Sequence, residues 1–110
     1  MNTAYSDTEP TRAELDALEG PTLVEFGNSW CGWCRAAQPL LAAALQDHPH
    51  IRHFKIADAS GRRLGRSFNV KLWPTFIFIK DGKELSRLVR PKDEHAIRKA
   101  LAQINPAPGK

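Results

Sequence analysis

Thr22-Leu23-Val24-Glu25-Phe26-Gly27-Asn28-Ser29-Trp30-Cys31-Gly32-Trp33-Cys34 is the stretch on which the fold turns. Both cysteines of the chain lie in it, separated by Gly32 and Trp33 and preceded by Trp30. Residues 22–26 form an apolar run of strand length, and the residues after Cys34 are rich in alanine and leucine at helical spacing. The cysteine pair therefore falls where a strand turns into a helix. The first turn of a helix carries unpaired N–H groups and a partial positive charge, so a thiolate placed there is stabilised. Cys31 is expected at the helix start with the more exposed sulfur, and Cys34 one turn deeper. Residues at that spacing share a helix face, so the two sulfurs can close a disulfide. Gly32 is expected to let the chain pack tightly at the turn. The chemistry read from this pattern is a reversible dithiol, with Cys31 attacking and Cys34 resolving.

On the N-terminal side, residues 1–6 read as a frayed tail. A helix start follows, with Thr8 as its cap and Pro10 in its first turn. Leu15 and Leu18 give that helix one apolar face, and Gly20-Pro21 stops it. A run as continuously apolar as 22–26 suggests a central strand covered on both faces, with Glu25 as its anomaly. On the C-terminal side, Ala37, Leu40, Leu41, Ala44 and Leu45 continue the helical pattern through Pro39, so the proline is expected to kink the helix rather than end it. Residues 51–57 read as a second strand, with Phe54 and Ile56 on one face and Lys55 opposite. A short basic helix is expected over 60–68. The alternation of helix and strand to this point implies parallel pairing with helices on both faces.

The second half changes character. Residues 75–79 are a strongly apolar strand, Asp81-Gly82 is a hairpin turn signal, and 84–89 is the returning antiparallel strand. Residues 92–104 read as a last helix with Ile97, Leu101 and Ile104 on one face, and 105–110 cannot continue it and read as a frayed tail. The expectation is an α/β fold with a mixed central sheet, helices on both faces, and the dithiol at the carboxyl end of the first long strand, where open α/β sheets bind ligands. Pro74 stands directly before a buried strand and is a candidate for a cis peptide bond, although the base rate favours trans.

At 110 residues the chain is one domain, 1–110, able to bury a single core. A net charge of +4 is a modest excess and no nucleic-acid footprint in itself. No apolar stretch approaches the length of a membrane span. Residues 1–20 lack a basic-then-apolar leader, which favours the cytoplasm, the alternative being a periplasmic or secreted protein whose leader was removed. With two cysteines there is no structural disulfide framework. Nothing in the sequence demands more than a monomer.

Together, Trp30-Cys31-Gly32-x-Cys34, Pro39, Lys55, Pro74-Thr75 and Asp81-Gly82 resemble the thioredoxin family, over residues 23–104. The resemblance implies a thioredoxin fold, with Pro74 cis beside the disulfide and the backbone of Trp73 pairing with an extended substrate segment. It also implies that Glu25, in place of the family's usual aspartate, moves a proton to and from Cys34. Desolvation is expected to raise the Glu25 pKa toward the working pH. Lys55 is the matching partner that offsets the buried charge, the plainer reading being that it snorkels to solvent and simply pairs with Glu25.

Several positions depart from the family pattern. Trp33 replaces the proline usual inside the dithiol motif, Gly27-Asn28-Ser29 removes an aromatic beneath the site, Trp73 replaces a smaller aliphatic residue, and Arg90 stands where a glycine commonly opens the substrate groove. Gathered around one thiol, Trp30, Trp33, Trp73 and Arg90 suggest a narrower client range. The alternative is that Trp33 and Trp73 pack on each other and shield the disulfide. His48, His50 and His53 cluster near a turn, where a solvated loop outweighs a metal site. Arg62, Arg63 and Arg66 read as a solvated basic face, Arg35 as a charge beside the thiols, and His95 as facing water.

The expected function is a thiol-disulfide oxidoreductase acting on client proteins, a reductant recharged by a thioredoxin reductase or similar donor, with no cofactor beyond the Cys31–Cys34 disulfide. The alternatives are a thiol oxidant or isomerase, a zinc or iron–sulfur half-site, and a redox-inactive binding module.

Overall fold

The structure, a computed structural model, describes residues 4–106. Four strands form one sheet: β1 (Pro21–Gly27), β2 (Arg52–Ala57), β3 (Thr75–Lys80) and β4 (Lys83–Val89), in the order β2-β1-β3-β4. β1 pairs parallel with β2 and antiparallel with β3, and β3 pairs antiparallel with β4. The mixed sheet, with β1 internal, follows the sequence expectation. Asp81 and Gly82 both take positive φ, the conformation that a two-residue hairpin loop requires.

Helices α1 (Arg12–Asp16), α2 (Gly32–Leu45), α3 (Arg63–Ser67) and α4 (Glu94–Ile104) complete the fold. Strand periodicity sorts the core into two layers. Leu23, Phe76 and Phe78 meet Ala37, Leu41 and Ala44 of α2 and Ile97, Leu101 and Ile104 of α4. Val24, Phe26, Ile56, Ile77 and Ile79 face the other way, toward Leu15 of α1 and Leu64 and Phe68 near α3. Glu25 alternates with Val24 and Phe26, so it shares the α2 face with Leu23. On β2, His53 and Lys55 stand level with Leu23 and Glu25 in the parallel register.

Three local expectations are corrected. Thr8 does not cap α1. Thr11 does, accepting from the Glu14 backbone N–H while the Glu14 side chain accepts from the Thr11 N–H, a reciprocal pair that Thr8 cannot form. The N-terminal tail is not frayed as far as Ser6, because Ser6 N–H donates to the Lys55 carbonyl at 2.8 Å and its carbonyl accepts from Ala57 at 2.9 Å. These two bonds extend the sheet past the edge of β2. At the other end, the Asn105 N–H still donates to the Leu101 carbonyl. Residues 1–3 and 107–110, also expected to fray, lie outside the described residues. α2 continues unbroken through Pro39.

Candidate active site

β1 ends at Gly27, and four residues later Cys31 caps α2 in an extended conformation (φ −87°, ψ 118°). Its Sγ accepts from the Cys34 backbone N–H at 3.2 Å, so the sulfur takes the place of an N-cap oxygen at the positive end of the helix. Both cysteines are free thiols. Both cysteines are buried, but Cys31 retains 8% of its surface and Cys34 none, so Cys31 is the more exposed of the two, as expected. Burial pushes the Cys34 thiol up to about 12, with further upward contributions from the Cys31 side chain.

The tight turn is made by a different glycine from the one expected. A Cβ on Gly32 would meet nothing within 4 Å, so close packing does not require that residue. At Gly27 a Cβ would stand 2.7 Å from the Tyr5 hydroxyl and 2.8 Å from the Cys34 sulfur. The aromatic absent at position 27 is thus replaced in space by Tyr5, reaching over from the N-terminal segment.

The Trp73–Pro74 bond is cis, and the Trp73 carbonyl lies 3.9 Å from the Cys31 sulfur. Trp30 and Trp33 are 68% and 51% exposed, unusual for side chains of their size. The expected alternative, Trp33 packed on Trp73, is corrected: Trp30 meets Trp73 edge to face at 5.6 Å, and the Arg90 guanidinium lies 5.0 Å over the Trp33 ring. Trp73 is anchored by its indole N–H, which donates to Asp58 at 2.8 Å, a partner the sequence reading missed. Arg90 adopts a positive φ of 51°, keeping the backbone of a glycine position while adding a cation. Arg35 is exposed and donates to the Ser29 carbonyl at 3.4 Å.

Behind Cys34 lies a buried polar network. Glu25 is fully buried and accepts from the Tyr5 hydroxyl at 2.5 Å and from Gln38 Nε2 at 2.8 Å; its other oxygen lies 3.1 Å from His53 Nε2. Lys55 is also buried. Its ammonium donates to Gln38 Oε1 at 2.5 Å, so it reaches Glu25 through the amide rather than by direct pairing or by snorkelling to water. The expected rise in the Glu25 pKa is overturned. Burial is the largest influence and does push upward, but the bonds from His53 and Tyr5, the Lys55 charge and the Gln38 bond together hold the carboxyl below its ordinary range.

Tyr5, Gln38 and His53 were not identified as site residues from sequence. For His53 the signal was present: it precedes Lys55 by two residues in a strand, hence on the same face. Instead of lining a solvated loop it joins this network. His48 is likewise buried, its Nδ1 2.8 Å from Asn105 Nδ2, so it too leaves the solvated loop expected of it. Arg62 also leaves the solvated face, donating to the Asp7 carbonyl and to Glu9, whereas Arg63, Arg66 and His95 are exposed as expected. Among the described residues no group of three His, Cys, Asp or Glu side chains is placed to hold a metal ion, and no helix is long and apolar enough to cross a membrane.

A cysteine capping a helix at the edge of solvent, a fully buried partner one turn on, and a cis proline beside them define a thiol-disulfide oxidoreductase on an α/β scaffold. Comparisons with known proteins agree. The thioredoxin family pattern matches residues 4–103, and the chain belongs to the thioredoxin family. Thioredoxin H-type 1 of Nicotiana tabacum is 36% identical over 85 residues, which cover 77% of this chain and 68% of that protein. The thioredoxin of Chlamydia trachomatis is 34% identical over 84 residues, covering 76% and 82%. Among solved structures, thioredoxin 2 from Pseudomonas aeruginosa PAO1 in its reduced form superposes with a TM-score of 0.84 at 56% identity, covering 94% of this chain and 96% of that one. The chain is a dithiol oxidoreductase that exchanges electrons with thiol- and disulfide-containing partners through Cys31 and Cys34.

Proposed function

We propose that the protein works in the reducing direction, breaking disulfides in client proteins and being recharged by a thioredoxin reductase or similar donor. Cys31 attacks a client disulfide, forming a Cys31–client mixed disulfide and releasing one client thiol. Cys34 then attacks Cys31, which frees the second client thiol and leaves the Cys31–Cys34 disulfide. The client gains two electrons and the dithiol loses them.

The observation that carries the direction is the complete burial of Cys34, whose thiol is pushed up to about 12. Dithiols become oxidants when their reduced form is stabilised, above all through stable thiolates. Here burial disfavours the charge of the inner sulfur and outweighs the bonds from the Asn28 backbone and Tyr5 that favour it. The same reading assigns the protein to a reducing compartment, the cytoplasm. Trp30, Trp33 and Trp73 form an aromatic rim around Cys31 that takes an extended, partly apolar client segment, with Gly32 and Pro74 leaving the sulfur open and Arg90 at the edge.

Equilibrating the Cys31–Cys34 pair against glutathione or dithiothreitol buffers tests the direction. The expected reduction potential is near about −270 mV. A value of about −180 to −120 mV would instead assign an oxidant or isomerase, the work of an oxidising compartment.

A further inference from the structure

Cys34 has to lose a proton as it attacks Cys31, and it is sealed from water. Glu25 is the nearest carboxylate in the network behind it. Between them stands one hydroxyl. The Tyr5 oxygen and the Cys34 sulfur crowd the same side of Gly27, within 2.8 Å of the point a Cβ there would occupy. That oxygen also donates to Glu25 at 2.5 Å. Gln38 Nε2 holds the arrangement from α2, 2.8 Å from Glu25 Oε2 and 3.4 Å from the Tyr5 oxygen.

We propose that the Tyr5 hydroxyl carries the proton between Cys34 and Glu25, accepting from the thiol while passing its own proton to the carboxylate. The inference deepens the proposed reaction and rests on Cys34 being the resolving thiol. As the Cys34 sulfur bonds to Cys31, the Cys31–client bond breaks and its electron pair leaves on the client sulfur. The Cys34 proton moves to the phenolic oxygen, and the phenolic proton moves to Glu25 Oε2. Glu25 returns a proton through Tyr5 to an open cleft of about 380 Å3 lined by Tyr5, Asn28, Ser29, Arg35, Gln38 and Lys55, and the client thiolate takes one from water.

A weakly basic carboxylate serves here because the thiol becomes strongly acidic as its sulfur forms the new bond, so transfer is downhill within the concerted step. Glu25 is held as the anion, the form an acceptor must have. Burial first, and then Glu25 and Cys34, keep Tyr5 protonated, which preserves the hydroxyl as a donor. The other ionisable groups facing the relay are His53 against Glu25, Lys55 with its ammonium 4.6 Å from the Tyr5 ring centre, Cys31 beside Cys34, and Arg35 on the cleft rim.

The test measures two steps separately in the full chain, mixed-disulfide formation and release, by stopped flow across pH. Tyr5→Phe is expected to form the mixed disulfide at the wild-type rate and to release it about 10- to 100-fold more slowly at about pH 7, the gap closing by about pH 9.5 as hydroxide replaces the relay. Equal release rates, or a slowing independent of pH, overturn the proposal. Tyr5 is the chain's single tyrosine, so incorporated 3-fluorotyrosine reports on this hydroxyl alone and decides the matter if Tyr5→Phe does not fold. A changed release rate with unchanged attack supports the relay, and identical rates overturn it. Cys34→Ser separates the two failures. If it accumulates no mixed disulfide, the resolving role of Cys34 is wrong; if it does and Tyr5→Phe releases normally, the relay alone is wrong.

Discussion

The Nε of Arg90 donates to the Trp73 carbonyl at 2.7 Å, while the Arg90 guanidinium lies 5.0 Å over the Trp33 ring. One side chain thus bridges the residue before the cis proline and the residue inside the dithiol motif. The family resemblance leads one to expect the Trp73 backbone to be free to pair with an extended client. Its carbonyl already accepts from within the chain, so a client reaching for that oxygen meets Arg90 beside it.

Replacing Arg90 by glycine should therefore widen the groove. A hydrogen bond to a carbonyl contributes about 1 kcal/mol net, so kcat/KM toward a folded protein disulfide is expected to rise about fivefold. A small disulfide that does not engage the Trp73 backbone should react at an unchanged rate. Glycine also relaxes the positive φ at this position, so stability should not fall through backbone strain. Equal gains for both substrates would show that Arg90 acts on the thiol and not on the groove.

The two thiols should differ sharply toward alkylation. Cys34 is buried and pushed up to about 12, so at about pH 7 it is held as the unreactive thiol. Brief treatment with iodoacetamide, read by mass spectrometry of peptides, is expected to label Cys31 alone. Labelling of Cys34 at a comparable rate in the folded protein would contradict its burial and its proton affinity.

Glu25 makes the protein sensitive to acid. Its carboxyl binds a proton less tightly folded than unfolded, so the unfolded chain takes up protons first as the pH falls. The stability it supplies is complete above about pH 4.3, the ordinary glutamate value, and is lost as the pH drops through its lower folded value. Urea midpoints should fall as the pH drops below about 4.3, and the fall should be shallower in Glu25→Gln. An acid dependence identical to wild type would mean that Glu25 is not held as the anion.

Much of this was legible in one dimension. The apolar run at 22–26, the cysteine spacing, Asp81-Gly82 and the amphipathic face of Ile97, Leu101 and Ile104 are local patterns, and local patterns predict strands, turns and helix faces. That Cys31 would be the more exposed of the two cysteines followed from its place at the helix start, one turn before Cys34. The place of Thr11 as the α1 cap was available too, since Glu14 lies three residues on, the spacing of a capping box. His53 was missed because a histidine cluster was read along the chain and not across a strand face.

What the sequence by itself determined is the chemistry and the frame: a dithiol at a strand-to-helix turn on a mixed sheet of the thioredoxin family. Only the tertiary structure decided how that chemistry is supported. Tyr5 reaches Cys34 across 29 positions because the chain pairs at Ser6 with β2 and Gly27 leaves the room for its ring. Lys55 addresses Glu25 through Gln38 because a strand and a helix set the distance between them. The Glu25 proton affinity fell rather than rose for the same reason. Burial can be anticipated from an apolar run, but its effect on a charge depends on which donors arrive from distant parts of the chain, and no local pattern encodes that sum.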